Sequence, residues 1–273
     1  MANRSALINV MVGAVQKAAK GLVRDFGEVE QLQVSKKGPA DFVSTADKKA
    51  ERTLMKELQR VRPKFGLLME EGGEIPGADT SNRWLVDPLD GTTNFLHGIP
   101  HFCISVALER DGEPFAGVVY EPVGDQLFWA EKGAGAYLNG RRLRVSARRH
   151  MDEGLFATGI PFKGVRDHPA FLAELEGVMA VSAGVRRFGS AALDLAYVAA
   201  GRYDGYWETG LSPWDIAAGI VLVREAGGFV TTLDGTDKML KTGSILAAND
   251  NLHTPLRKVL HDAHRKGAPN KGA

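Results

Sequence analysis

The sequence predicts an α+β protein in which layers of sheet and helix stack on one another. Three observations carry that reading. Apolar residues near the N-terminus recur at helical spacing, the middle of the chain is rich in β-prone runs, and beyond about residue 150 strand and helix patterns mix.

Taken in order, residues 5–25 carry Leu7, Val10, Ala14, Ala18 and Leu22 at helical spacing, and a second helix follows Ser44-Thr45 with Leu54, Leu58 and Val61 on one face. Phe65-Gly66-Leu67-Leu68-Met69 reads as a strand that runs into Glu70-Glu71. Arg83-Trp84-Leu85-Val86 reads as a buried strand with Asp87 at its C-terminal end, where Pro88 is expected to stop the ladder. Residues 102–108, 116–120 and 126–130 follow as strands, and Asn139-Gly140 marks a tight hairpin turn before Leu143-Arg144-Val145. Helices are expected over 168–180, 190–200, 213–226 and 252–264. With no repeat and no long linker, residues 1–265 read as one domain with halves of about 1–147 and 148–265, and residues 266–273 as a flexible tail.

Composition bounds the function. A chain of 273 residues, 44% hydrophobic, can bury a large core. Its 34 basic and 33 acidic residues leave a net charge of +1, so no overall field favours nucleic acid or membrane. Cys103 is the only cysteine, which excludes a disulfide framework and a thiolate metal site. Its neighbours Phe102, Ile104 and Val106 place it in a buried strand as a core residue rather than a nucleophile. Met1-Ala2-Asn3-Arg4-Ser5 lacks a signal peptide's apolar core, and no apolar run is expected to reach membrane-spanning length, so a soluble cytoplasmic protein is expected.

The chemistry concentrates in Asp87-Pro88-Leu89-Asp90-Gly91-Thr92-Thr93-Asn94-Phe95. With the chain turned at Pro88, Asp87 and Asp90 can converge on one point, and the Leu89 carbonyl supplies a third oxygen for a hard divalent cation. Gly91 permits close backbone approach, while Thr92, Thr93 and Asn94 suit the opening of a helix, whose N–H groups attract phosphate. A solvated turn would explain one of these acids but not the whole string.

This run resembles the first signature of the inositol monophosphatase family of magnesium-dependent, lithium-sensitive phosphatases. Trp214-Asp215-Ile216-Ala217-Ala218-Gly219 resembles the second, Glu70-Glu71 an upstream acidic pair, and Asp47 in Asp41-Phe42-Val43-Ser44-Thr45-Ala46-Asp47 an acid opening an early helix. The four elements occur in the family's order. The resemblance implies an α-β-α-β-α sandwich with the site between its halves, and commonly a homodimer.

It also implies roles. Glu70, Asp87 and the Leu89 carbonyl would bind a first magnesium, and Asp87, Asp90 and Asp215 a second, with a third ion proposed for the family. Four crowded carboxylates without His or Cys suit Mg2+ rather than zinc. Water would attack a phosphate monoester directly, helped by Glu70 and by a hydrogen bond between Thr92 and Asp47, with the backbone N–H groups of Gly91, Thr92 and Thr93 holding the phosphate. Neither Cys103 nor any G-x-S-x-G element offers a covalent route. Gly189-Ser190-Ala191 and Glu208 would contact the hydroxyls of a small phosphorylated polyol, with Asp215 beside them.

Glu71 alternates away from the metal if its segment is extended, and Gly72 stands where the family often has a small hydroxyl residue. Asp204 reads as a turn residue, Arg186 and Arg187 as partners of nearby acids, and His97 and His101 as weak candidates for general acid. Inositol-1-phosphate is the expected substrate. Fructose-1,6-bisphosphatase, histidinol phosphatase and 3′-nucleotide bisphosphate phosphatase are the rivals within the same chemistry. The basic run Arg141, Arg142, Arg144, Arg148, Arg149 and His150, with His264-Arg265-Lys266 and Lys271, raises a non-enzymatic alternative, because some bacterial proteins of this family are linked to RNA transcription machinery. A solvated strand face and a frayed terminus are the plainer reading.

Overall fold

The computed structural model describes residues 4–27, 34–36, 42–161 and 168–267. Ser5 caps the first helix, α1 (Ala6–Phe26), by accepting the Ile8 N–H at 3.1 Å. A small antiparallel ribbon of β1 (Val34–Lys36) and β2 (Phe42–Ser44) leads into α2 (Thr45–Val61). Asp41, part of the early motif, lies outside the described residues.

Eight strands then form one sheet: β3 (Phe65–Met69), β4 (Gly73–Ile75), β5 (Asp79–Asp90), β6 (Cys103–Arg110), β7 (Glu113–Glu121), β8 (Gln126–Glu131), β9 (Gly135–Leu138) and β10 (Arg141–Arg142). Their order is β10-β9-β8-β7-β6-β5-β3-β4, antiparallel throughout except for the β3–β5 pair. The short helix α3 (Thr92–Leu96) follows β5 directly.

The second sheet holds five strands of three or four residues, β11 (Leu155–Thr158), β12 (Gly184–Arg186), β13 (Gly205–Glu208), β14 (Phe229–Thr231) and β15 (Ile245–Ala248), in the order β12-β11-β13-β15-β14. β12, β11 and β13 run parallel, and the other pairs antiparallel. Between and around these strands lie α4 (His168–Met179), α5 (Ala191–Ala199), α6 (Pro213–Glu225), α7 (Met239–Thr242) and α8 (Asp250–Gly267).

Three apolar cores show how the layers stack. Ile8, Met11, Leu54 and Leu58 from α1 and α2 pack on Trp84, Val86 and Val118 of the large sheet. On its other face, Leu85 and Val119 meet Leu195 of α5 and Ile216, Ile220 and Val223 of α6, which also cover Ala157, Tyr206 and Ala247 of the small sheet. Phe156, Trp207 and Leu246 then pack outward against Val178 of α4 and Leu252, Leu256 and Leu260 of α8. The layer order is therefore α-β-α-β-α, as the resemblance implied. Because α6 is enclosed by both sheets, its run from Ile216 to Val223 is buried all round rather than striped.

Close approach explains the small residues in the second signature. A Cβ on Gly117 of β7 would lie 2.7 Å from the Ala218 Cα, and one on Gly219 would lie 2.4 Å from the Leu195 Cδ1. Ala217-Ala218-Gly219 thus lets α6 seat between sheet and helix, a packing role carried by the same motif that presents Asp215.

Three expectations are corrected. Pro88 does not end its strand: β5 runs to Asp90, and the proline is accommodated where the register with β6 shifts between Asp87 and Asp90. Asn139 and Gly140, with φ of 48° and 81°, do make the two-residue hairpin, but β10 is only Arg141–Arg142 and does not extend through Leu143-Arg144-Val145. Finally, α1 is long and apolar enough by length and composition to cross a membrane, yet Met11, Val15 and Leu22 are buried in the core shared with α2, the mark of a core helix. Of the expected tail, α8 takes in residues through Gly267, and 268–273 lie outside the described residues.

Replacing Gly117 by Val forces a branched side chain into the Ala218 backbone. The expected cost is about 1–3 kcal/mol or more, read as a lowered midpoint of thermal unfolding. An unchanged midpoint would contradict the close β7–α6 seating.

Candidate active site

Strand alternation decides where the acids point. Leu85 belongs to the core between the sheets while Trp84 and Val86 face α1 and α2, so Asp87, two residues beyond Leu85, faces the interior between the halves. Leu68 likewise packs on the inter-sheet core, and the Glu70 N–H continues the parallel ladder by donating to the Val86 carbonyl at 3.2 Å, which turns Glu70 to the same side.

Glu71 departs from its expected course. Residues 70–72 form a turn rather than extended chain, so alternation no longer applies, and Glu71 joins Asp47 and Glu70 with all three ligand atoms within 4.8 Å of one another. The turn is held from α2: Glu51, one helical turn beyond Asp47, accepts the Glu71 N–H at 2.8 Å. Glu51 also explains Gly72, whose absent Cβ would lie 3.0 Å from the Glu51 Oε1 and 2.8 Å from the Met69 Cε. Sequence reasoning missed Glu51, though its i+4 spacing from Asp47 was the available signal.

In the signature itself, Asp87 is buried and accepts the Leu89 N–H at 2.9 Å. Gly91 adopts a φ of 91°, and a Cβ there would meet the His101 carbonyl at 2.9 Å, so only glycine fits at the start of α3. The expected Thr92–Asp47 hydrogen bond is not made: the single hydroxyl proton of Thr92 goes to the Leu89 carbonyl at 2.9 Å. That bond uses one lone pair of the carbonyl and leaves the other for a cation. Thr93 is exposed.

Asp90 reaches across the two halves. Its Oδ2 accepts from the Ser190 hydroxyl at 2.6 Å and the Ala192 N–H at 2.8 Å. Ser190, expected to meet the substrate, is buried and spends its proton on Asp90, so it acts by orienting that carboxylate. Gly189 and Ala191 flank it at the start of α5, with Gly189 at a φ of 83° under the Arg187 guanidinium. Asn94 makes a second seam, donating to the His101 carbonyl at 2.8 Å and the Phe188 carbonyl at 2.7 Å.

Asp215 sits in the first turn of α6 and accepts the Ser212 N–H at 2.7 Å. Glu208 ends β13 on the same inner face as Tyr206, whose hydroxyl donates to it in a short hydrogen bond. Asp194 was missed: a lone acid in the apolar run of α5, it is buried beside Glu208 and Asp90, with no partner for its Oδ1. Asp204, expected as a turn residue, is instead a buried anchor for Ser146, the Leu155 N–H and Arg148. His101 packs against Phe188 and Tyr197 with its pKa lowered by burial, the setting of a structural ring. Cys103 is fully buried and its thiol is pushed up by burial, as expected of a core residue.

The acids act on one another. Burial raises the pKa of Asp87 well above the carboxylate range, and Glu70, Asp90, Asp215 and Asp47 add to it in that order. Asp215 is raised first by burial and then by Asp90, while Asp90 is raised by burial against the opposing hydrogen bonds from Ser190 and the α5 backbone. Glu208 is pushed up to about 7, chiefly by burial. Carboxylates crowded this way, with no His or Cys among them, are a donor set for a hard divalent cation that would neutralise them.

Residues 3–265 match the model of the inositol monophosphatase family. The chain belongs to this family. Its relatives include a protein named Inositol-1-monophosphatase from Rhizobium meliloti, 59% identical over 94% of this chain and 97% of that one. Another is the Nus factor SuhB of Escherichia coli K12, 43% identical over 89% and 91% of the two chains. Among solved structures, the extragenic suppressor protein suhB of Bartonella henselae superposes with a TM-score of 0.91 at 55% identity, covering 98% of this chain and 100% of that one. An inositol monophosphatase of Thermotoga maritima gives 0.88 at 32% identity, covering 97% and 100%. The protein is accordingly a phosphatase, and its acidic cluster fits a metal site, as suits a family that is metal-dependent in general.

Two outcomes follow for the site. In the unfolded chain these carboxyls titrate near pH 4, whereas Asp87, Asp90, Asp215 and Glu208 hold protons to higher pH when folded. Their contribution is thus fully present below about pH 4 and is lost as pH rises through the folded values. Chelator-treated protein is expected to melt lower at about pH 8 than at about pH 5, with divalent cation restoring more stability at the higher pH. Glu51→Ala removes the acceptor of the Glu71 N–H and should cut kcat at least about tenfold while lowering stability by about 1–3 kcal/mol. Steady-state kinetics and a melt on the same sample check both.

Proposed function

We propose that this phosphatase hydrolyses inositol-1-phosphate to inositol and phosphate with Mg2+, and that residues 1–265 form one catalytic domain. The observation that carries the reading is the convergence of Asp47, Glu70 and Glu71 with Asp87, Asp90 and Asp215 beside the first turn of α3. The substrate is carried over from the relatives named Inositol-1-monophosphatase, which match almost end to end.

Glu70, Asp87, the Leu89 carbonyl, Asp90 and Asp215 would hold two or three Mg2+ ions, with Glu71 beside them. Bound there, Mg2+ supplies Lewis acidity, lowering the pKa of water and neutralising charge on phosphate and leaving oxygen. The chain does the rest. Asp47 and Glu70 orient the attacking water and accept its proton as a P–O bond forms and the ester P–O bond breaks, and the leaving oxygen takes its proton from a second water to depart as the alcohol. Backbone N–H groups of Gly91, Thr92 and Thr93 hold the phosphate oxygens, and Gly91's left-handed φ brings that backbone close. Glu208, fixed by Tyr206, accepts hydrogen bonds from the alcohol's hydroxyls beside Gly189, Ser190 and Ala191. Inhibition by lithium, a homodimer and a cytoplasmic location complete the proposal. The lone cysteine, buried and unpaired, suits a reducing compartment.

A second reading has one observation behind it. Arg141 and Arg142 of β10 and Arg144 and Arg149 in the segment after it are exposed, and several relatives bear the name Nus factor SuhB. Binding of RNA or a transcription complex would coexist with catalysis. Arg148 contributes less, because Asp204 holds it at 3.2 Å.

Phosphate release from inositol-1-phosphate, fructose-1,6-bisphosphate, histidinol phosphate and 3′-phosphoadenosine 5′-phosphate tests the assignment. Mg2+-dependent turnover led by inositol-1-phosphate is expected, and Asp90→Asn should lower it by on the order of a thousandfold or more. A different leading ester would replace the substrate, and turnover unaffected by Asp90→Asn would remove the mechanism. Substituting Arg141 and Arg149 by Glu should leave phosphatase activity intact while weakening any RNA binding in a filter assay.

A further inference from the structure

A cavity of about 440 Å3 lies outside the acidic cluster, on the far side of the small sheet between α4, α8 and the carboxyl ends of β11 and β13. Its walls are largely apolar, formed by Phe171, Trp207, Leu233 and Leu260, with Glu174 and His264, 3.1 Å apart, at its polar end. A volume of this size suits a small organic group.

Its position follows from the topology. The chain leaves β11 through α4 on the outer face of the sheet, but leaves the adjacent parallel strand β13 through α6 on the inner face. Neighbouring strands whose following helices diverge leave a crevice at their carboxyl ends, the place where open α/β sheets bind ligands.

Glu208 links this crevice to the active site. Alternation along β13 turns Tyr206 and Glu208 inward and Trp207 outward, yet Glu208 and Trp207 both line the cavity. Thr158, the last residue of β11, pairs with Trp207, and a Cβ on the next residue, Gly159, would lie only 1.9 Å from the Glu208 Oε1. Any other side chain at 159 would displace the carboxylate. Glycine leaves the Glu208 carboxylate room to sit there, so the residue read as the alcohol contact also lines the cavity.

We propose that this cavity is a second chamber on the alcohol side of the active site, taking an apolar aryl or alkyl extension of the alcohol in a phosphate monoester. The proposal rests on the phosphatase reading and on Glu208 as a contact to the alcohol. It widens the substrate class from bare polyol phosphates to esters whose alcohol ends in an apolar group reaching Trp207 and Phe171.

The test compares ethyl phosphate with 2-phenylethyl phosphate, two primary alkyl esters that differ only in the apolar extension, alongside inositol-1-phosphate, using the full chain with Mg2+. A preference in kcat/KM for the phenylethyl ester on the order of tenfold or more, carried by KM, is expected from burying the ring. Phe171→Ala removes a wall and Leu233→Trp fills the space. Each should bring the phenylethyl-to-ethyl ratio towards one, and because the readout is a ratio, a folding defect that lowers both activities alike does not imitate that result. Equal kcat/KM for the two esters in the unmodified protein, or a ratio that survives Leu233→Trp, overturns the proposal. Failure of the phosphatase reading looks different, since inositol-1-phosphate would then be silent too, and the chamber would have no reaction to serve.

Discussion

Carboxylates confined together in a poorly hydrated cleft repel one another, and the rest of this molecule is organised around holding them there. Asp47, Glu70 and Glu71 arrive from α2 and the end of β3, Asp87 and Asp90 from β5, and Asp215 from α6. No single element could carry all six. Four of them are braced separately: Glu71 by Glu51 through its backbone N–H, Asp87 by the Leu89 N–H, Asp90 by Ser190 and Ala192, and Asp215 by Ser212. Such charge-assisted bonds contribute about 1.5–3 kcal/mol each, which offsets part of the cost of crowding. What they cannot offset is carried as raised pKa values, and a cation relieves it.

Much of this is legible in the amino-acid sequence itself. The long helices α1 and α2 follow from periodicity, because each presents one apolar face over many residues, and the central strands follow from their β-prone runs. The acids of the site could be named because the motif Asp87–Phe95 packs its chemistry into nine consecutive residues. The strands of the small sheet were harder, since three or four residues such as Gly184–Arg186 carry too little pattern to declare a period. Glu51, Asp194 and Asn94 escaped for another reason. Their roles are fixed by what lies opposite them in space, such as the Glu71 N–H for Glu51 and the Phe188 carbonyl for Asn94, and no local rule predicts that partner.

Where expectation and structure part, the backbone is responsible. A proline should end a strand, but the bulge between Asp87 and Asp90 absorbs it and turns both carboxylates inward at once. An extended segment would have sent Glu71 to solvent, but the turn after β3 gathers it with Glu70. Small residues serve twice in the same way. Ala218 and Gly219 let α6 lie against both β7 and α5, and only that depth of seating brings Asp215 into the cleft.

The bridge from Asp90 to Ser190 and Ala192, with the Asn94 bridge to Phe188, joins the large sheet's half of the molecule to α5. A hinge that swung the halves apart would break these bonds and carry Asp90 away from the atoms that aim it. Opening and catalysis are thus mutually exclusive states of one seam. Chemistry therefore belongs to the closed seam, and any opening between turnovers has to break and remake these same bonds.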